Sequence, residues 1–436
     1  MEPSPSILLT FLLKASYKEG NRTQDSRFLG VLVKHKRYEP NSASANFGPR
    51  MKVCIVSMTG LYPVEIGGPA SVSYYLSREL GSLGDEVVLL TRARTEEQLN
   101  HLKNAEEIRK LKNVQVQAFR IDYSFTSLLN LPLMAYKIRE TMKRFEEQEH
   151  DIVHYNSPPV DAAILLPIRA KKKHEKQTLA IHGGLFYESK NLIGRNIIKR
   201  EKSLFERVVV LNGFSMSIAL KAGIEKDRIV TIPNGVDLEA LERAEALDLA
   251  GDPKILFTGR LTKVKGVEVL IEAFKQVVEE HRNARLYIVG DGPLKHQLEN
   301  YAKSLGVDEK TSFLGFLPNT NEVYSYYKSA DLLVLPSLIE NFSITLLEAM
   351  GSRLPVIASD VEGNKEIVQD GENGTLFECG NPIDLAEKML VLLSNPAFRK
   401  AMADRAYEDV KERFTWSRIA HSYRKMFKTI LDENRN

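Results

Sequence analysis

A chain of 436 residues with 43% apolar residues is long enough for two or three domains, each with its own core. Its 60 basic and 57 acidic residues leave a formal charge of +3, and residues 1–50 alone carry +4, so the remainder is near neutral. Net charge therefore gives nucleic-acid binding no support. The two cysteines, Cys54 and Cys379, have neither metal-ligand spacing nor a disulfide framework, which fits a reducing, cytoplasmic compartment. The apolar run at 7–13 falls far short of the ~20 residues a membrane span needs. It also lacks the basic flank and cleavage site of a signal peptide.

Residues 1–50 show no helical or strand periodicity and close on a linker-like stretch at 38–50. They read as a disordered extension, or as sequence upstream of the true start, with the fold opening at Met51. From there strand and helix alternate. Strands are predicted at 53–58, 86–92, 114–120, 151–156, 178–183, 208–212 and 228–235. A helix at 70–80 follows the loop Gly67-Gly68-Pro69, where small residues permit close backbone approach and Pro suits a first helical turn. An acidic seam at 236–252 interrupts the pattern, which then restarts with strands at 254–260, 284–290, 310–317, 330–337 and 354–360 and a helix at 267–281. Runs of Val, Ile and Leu separated by helical patterns predict parallel sheets covered on both faces. The fold class expected is α/β: two Rossmann-like doubly wound domains facing a cleft, at 51–235 and 236–414. The amphipathic stretch at 414–431, within a last segment at 415–436, is expected to pack back on the first domain.

Two stretches carry chemistry. In 337–350, Glu340 and Glu348 stand eight positions apart around the turn Asn341-Phe342-Ser343. Glu340 is predicted in the loop leaving a strand and Glu348 about a turn and a half into the next helix, on the same side. The first helical amides, Phe342 through Thr345, would be free to hold an anion, and the carboxylates to accept bonds from sugar hydroxyls. The competing reading is a capped helix with solvated acids. In 258–266, Gly259, Arg260, Lys265 and Gly266 lie at a strand-to-helix junction, a setting in which two cations suit a diphosphate. The alternative there is two solvated surface cations.

Taken together, these stretches resemble the retaining, nucleotide-sugar-dependent glycosyltransferases of family 4, which have the GT-B fold. Further matching stretches lie at 66–80, 232–237, 289–294, 313–317 and 370–377, in the expected order. The resemblance covers residues 51–431 and implies an acceptor domain first and a donor domain second. It implies that Arg260 and Lys265 bind the diphosphate, that Glu340 lies by the donor sugar and that Glu348 holds the ribose hydroxyls. Gly67 and Gly68 match the loop that closes over the donor, His182 a histidine at the sugar, and Gly315-Phe316 the backbone that reads the base. The chain departs from the family at Asn341 and Ser343, where glycine is common, and at Gly183, where aspartate often follows the histidine.

The expected reaction is front-face transfer of a sugar from a nucleoside-diphosphate donor to an acceptor hydroxyl, without a covalent enzyme intermediate. No cofactor and no metal are expected: there is no Asp-x-Asp, only Asp237-Leu238-Glu239 and Asp360-Val361-Glu362, and the cations supply the charge. An epimerase or phosphorylase on the same fold and an inactive nucleotide-sugar-binding scaffold are the rival readings. The basic stretches at 136–145 and 169–176, with Lys171, Lys172 and Lys173, raise peripheral contact with the inner membrane leaflet as a further expectation, against solvated helix ends.

Overall fold

The computed structural model describes residues 49–57, 61, 68–93, 95–120, 149–156, 175–182 and 205–433. The N-terminal extension, Gly67, both basic stretches up to Lys173 and the helix expected between the fourth and fifth strands lie outside these residues.

The first sheet has seven strands: β1 (Lys52–Ser57), β2 (Glu86–Ala93), β3 (Val114–Arg120), β4 (Ile152–Asn156), β5 (Lys176–Ile181), β6 (Arg207–Val210) and β7 (Ile229–Thr231). The second has six: β8 (Lys254–Thr258), β9 (Arg285–Val289), β10 (Thr311–Gly315), β11 (Leu332–Leu335), β12 (Val356–Ser359) and β13 (Thr375–Phe377). The orders are β3-β2-β1-β4-β5-β6-β7 and β10-β9-β8-β11-β12-β13, with every ladder parallel. Both β4 and β11 are buried along their whole length, and β11 accordingly reads as an unbroken apolar run and not as alternation. In both sheets the order reverses beside the first strand, between β1 and β4 and between β8 and β11. That reversal opens a crevice at the carboxyl ends of the strands.

The structure differs from the sequence reading in its boundaries. β7 is three residues long, because Pro233 cannot continue a ladder, and β13 at 375–377 lies where the sequence predicts no strand. The acidic seam is not loose. Asp237 caps the helix Leu238–Arg243 by accepting from Ala240 N, and Val236 and Leu241 are buried in the second core.

The chain crosses between the domains at two adjacent places. Val236 N donates to Phe414 O at 2.8 Å, and Trp416 N to Val236 O at 3.2 Å. Beyond this crossing, the helix Trp416–Asp432 lies on the first domain against the helix Gly68–Ser82. Trp416 stacks on Tyr75 with centroids 5.4 Å apart, and Ile419, Tyr423, Phe427 and Ile430 complete the first core. Burying five such side chains contributes on the order of 10 kcal/mol before ordering costs. Arg424 reaches the fully buried Asp85 through two bonds of 2.7 and 3.0 Å. Nearer the crossing, Arg78 pairs with Asp237 at 2.6 Å, joining the first helix to the second domain.

Candidate active site

The site begins with a close backbone approach. Gly266 follows the short turn Lys263–Lys265 in the left-handed region, with φ of 59°. A Cβ there would lie 2.2 Å from Pro336 O, so only glycine lets the loop after β8 rest on the loop after β11. The consequence is an ion pair. Lys265 Nζ donates to Glu340 Oε2 at 2.6 Å, and Ser337 Oγ donates to the same oxygen at 3.2 Å. Both side chains are mostly shielded, 23% and 14% exposed, so their attraction is less screened than that of a surface pair. Arg260, five residues earlier on the same loop, is exposed and has no acidic partner among the described residues.

Ser343 caps the helix Ile344–Gly351, its hydroxyl accepting from Leu346 N at 3.3 Å. The amides of Ile344 and Thr345 are left without intrahelical acceptors, as helix geometry requires. Glu348 is the fifth residue of this helix, about a turn and a half in. Its Oε2 accepts from Tyr327 Oη at 3.0 Å, and Tyr327 Oη lies 2.7 Å from Thr258 Oγ1 at the end of β8. Burial outweighs that hydrogen bond and raises the Glu348 carboxyl to about 7.

His182 follows β5 in the first domain. Its Nε2 is hydrogen-bonded to Asn156 Oδ1, while Asn156 Nδ2 donates to Ser73 Oγ at 2.5 Å. Because Asn156 Oδ1 can only accept, the proton resides on Nε2. Nδ1 is then an unprotonated acceptor, buried and without a partner among the described residues. Burial lowers the imidazole to about 4, so it is neutral near pH 7.

The Asn341-Phe342-Ser343 turn is more occupied than its sequence indicates. Asn341 Nδ2 donates to His182 O at 2.9 Å, and Asn341 Oδ1 lies 2.6 Å from Ser215 Oγ. Phe342 is buried against Phe414, with centroids 5.8 Å apart. Ser343 is spent on its cap. What this turn offers an anion is therefore backbone, not side chains. Gly315 ends β10 with φ of 74°, its carbonyl accepting from Gly290 N at 2.8 Å, and Phe316 beside it is 55% exposed. Gly68 is the first residue of the helix Gly68–Ser82.

The structure thus brings Lys265 to Glu340 and, through Asn341, sets their loop against His182. Tyr327, Thr258, Asn156 and Ser73 are further participants that sequence reasoning missed, since each is an ordinary polar residue in an ordinary helix or strand. Among the described residues no group of three or more His, Cys, Asp or Glu side chains could hold a metal ion, and no helix is long and apolar enough to cross a membrane.

Two parallel sheets with matched strand order and the candidate site residues at their carboxyl ends define a GT-B fold. The Anabaena protein HepE, crystallised with UDP-glucose, has this fold: the two superpose with a TM-score of 0.69 at 20% identity, over 87% of this chain and 100% of that one. Residues 240–409 match the family described as Glycosyl transferases group 1, and residues 66–240 match Glycosyltransferase Family 4. The chain belongs to the group 1 glycosyltransferases of family 4. Two uncharacterized glycosyltransferases of Methanocaldococcus jannaschii are among its relatives. One is 36% identical over 48% of this chain and 55% of its own length, the other 28% identical over 76% and 94%. The chain thus spans about half of the first relative and nearly all of the second.

Proposed function

We propose that this chain transfers a sugar from a nucleoside-diphosphate sugar to an acceptor hydroxyl, with retention of anomeric configuration and without a metal ion. The observation that carries the reading is the Lys265–Glu340 pair, held at 2.6 Å beside the open amides of a helix N-terminus. A cation that already shares a carboxylate can shift toward a diphosphate when one arrives, and the released carboxylate can take up a sugar hydroxyl. The UDP-glucose bound to the Anabaena protein supports a nucleotide sugar as donor.

In this reading Lys265 and Arg260 stabilise the charge that develops on the departing diphosphate, the step at which preorganised charge matters most. The amides of Ile344 and Thr345 add partial positive charge. Glu348 accepts from the ribose hydroxyls, and the backbone at Gly315 and Phe316 meets the base. His182 Nδ1 accepts from a sugar hydroxyl, a role its neutral tautomer allows and an imidazolium would not. Gly68 and the preceding Gly67 cover the donor. The acceptor attacks from the face the diphosphate leaves, and no enzyme nucleophile intervenes.

The test is incubation of the chain with UDP-, GDP- and ADP-sugars and a panel of hydroxyl acceptors in EDTA, with product anomers read by NMR. Retained configuration in EDTA is expected. An inverted product, or activity that returns only with a divalent ion, overturns the corresponding part.

A further inference from the structure

The residue at 341 does something a glycine could not. Each polar atom of its side chain is engaged by the opposite domain. Nδ2 donates to His182 O at 2.9 Å. Oδ1 faces Ser215 Oγ at 2.6 Å, and that hydroxyl also lies 2.7 Å from Asn212 Oδ1, with one proton to share between the two. The backbone takes part as well, since Asn212 Nδ2 donates to Asn341 O at 2.5 Å. Asn212 is itself fixed, capping the helix Gly213–Lys221 by accepting from Ser215 N at 2.7 Å. Beside it, Gly213 N donates to Glu366 Oε1 at 2.9 Å, a second bond between the domains. From behind, Gly363 holds the loop down: a Cβ there would lie 2.2 Å from Glu340 O and 2.5 Å from Asn341 O.

These contacts join two groups of different duty. Asn341 is the immediate neighbour of Glu340, and the carbonyl it grips belongs to His182. Asn212 and Ser215 are almost fully buried, at 2% and 5% exposure, so the bonds form out of water, where an unmade partner is costly.

We propose that Asn341 is a positioning residue, a clasp that fastens the Glu340 loop to the His182 and Asn212–Ser215 loops so that the two halves of the site are assembled in one closing step. The inference rests on the sugar-transfer reading for what the assembled site does, but not for the clasp itself. Affinity for UDP, which lacks the sugar that His182 meets, comes chiefly from Arg260, Lys265 and Glu348 within the second domain and does not depend on the clasp. Turnover, which needs His182 and Glu340 on one substrate, does. Removing the side chain therefore separates the two quantities.

The experiment uses the full chain with spin labels on cysteines introduced at the exposed Glu107 and Lys400, one in each domain, after Cys379→Ser. Distance distributions are recorded with and without UDP, and UDP affinity is measured by calorimetry. Asn341→Ala is expected to lower the ratio of clasped to open molecules about tenfold, the loss of roughly two net hydrogen bonds. The turnover number should fall by a similar factor, with UDP affinity within twofold of the parent. Ser215→Ala should act in the same direction and more weakly. The double variant should be no worse than Asn341→Ala, because both substitutions remove one shared contact. Asn341→Asp should not rescue, since it sets an oxygen against the His182 carbonyl.

Unchanged distances in Asn341→Ala overturn the proposal. So does a lower melting temperature with unchanged turnover, which would leave Asn341 a packing residue. A loss of UDP affinity as large as the loss of turnover also overturns it, by making Asn341 a donor contact. If the parent neither binds UDP nor turns over any sugar nucleotide, the transfer reading fails, and the distance distributions of the free protein still decide the clasp.

Discussion

Replacing Glu348 with glutamine should make the protein more stable at alkaline pH, even though it removes a group proposed to hold the nucleotide. Among the described residues the carboxyl has one hydrogen-bond donor, Tyr327 Oη at 3.0 Å, and burial lifts it from 4.5 to about 7. The folded state therefore holds this proton more tightly than the unfolded chain. Glu348 costs little stability below about pH 4.5, an increasing amount as pH rises toward 7, and its full penalty above that. At about 1.36 kcal/mol per pH unit the ceiling is ~3 kcal/mol, less whatever water in the cleft recovers. Glutamine keeps the shape without the charge. Thermal midpoints of parent and Glu348→Gln should nearly coincide at pH 4, and the variant should lead by roughly 2–10 °C at pH 8. An equal difference at both pH values refutes the argument. The same carboxylate should be driven to ionise when ribose hydroxyls donate to it, so UDP binding at pH 6.5 should release protons. Calorimetry in two buffers of different ionisation enthalpy measures this, and a release of zero would remove Glu348 from the nucleotide site.

Other outcomes follow from the same geometry. Lys265→Ala should lower turnover by ~10²–10³, the scale of losing one preorganised transition-state donor, and a loss below tenfold would argue against its role. Arg424→Leu strands the buried Asp85 carboxylate and should cost about 3–5 kcal/mol, visible as a fall in melting temperature on the order of 10 °C. A change of a degree or two would mean that Asp85 finds another partner. His182, held to about 4 by burial, should give ring NMR shifts that do not titrate between pH 6 and 8, and a midpoint above 6 would refute the neutral tautomer.

Much of this architecture is legible in the chain because a doubly wound sheet writes itself as buried Val, Ile and Leu runs, and β2, β8 and β11 are plain on that ground. The element β13 is not, since three residues carry no period. Among site residues, Gly266 and Lys265 are legible because a glycine after a strand and a short turn implies close approach, and Glu340 and Glu348 because their spacing fits a loop and the helix it feeds. Tyr327 is invisible as a site residue: it belongs to the helix Thr320–Ser329, and only the fold brings its hydroxyl to Glu348. The same holds for Asn341, whose partners His182 and Ser215 lie 159 and 126 positions away, beyond what local pattern can encode.

The return of the Trp416–Asp432 helix to the first domain bears on the order in which the molecule is made. Emerging from the ribosome, the first sheet has its strands long before it has the aromatic face of Trp416, Tyr423 and Phe427, and Asp85, held by Met51 N at 3.1 Å, waits for the cation of Arg424. The second domain, whose core lies almost wholly between residues 236 and 414, does not need that helix to close its core. The half synthesised last is thus self-sufficient, and the half synthesised first stays dependent on shelter until the Trp416–Asp432 helix arrives.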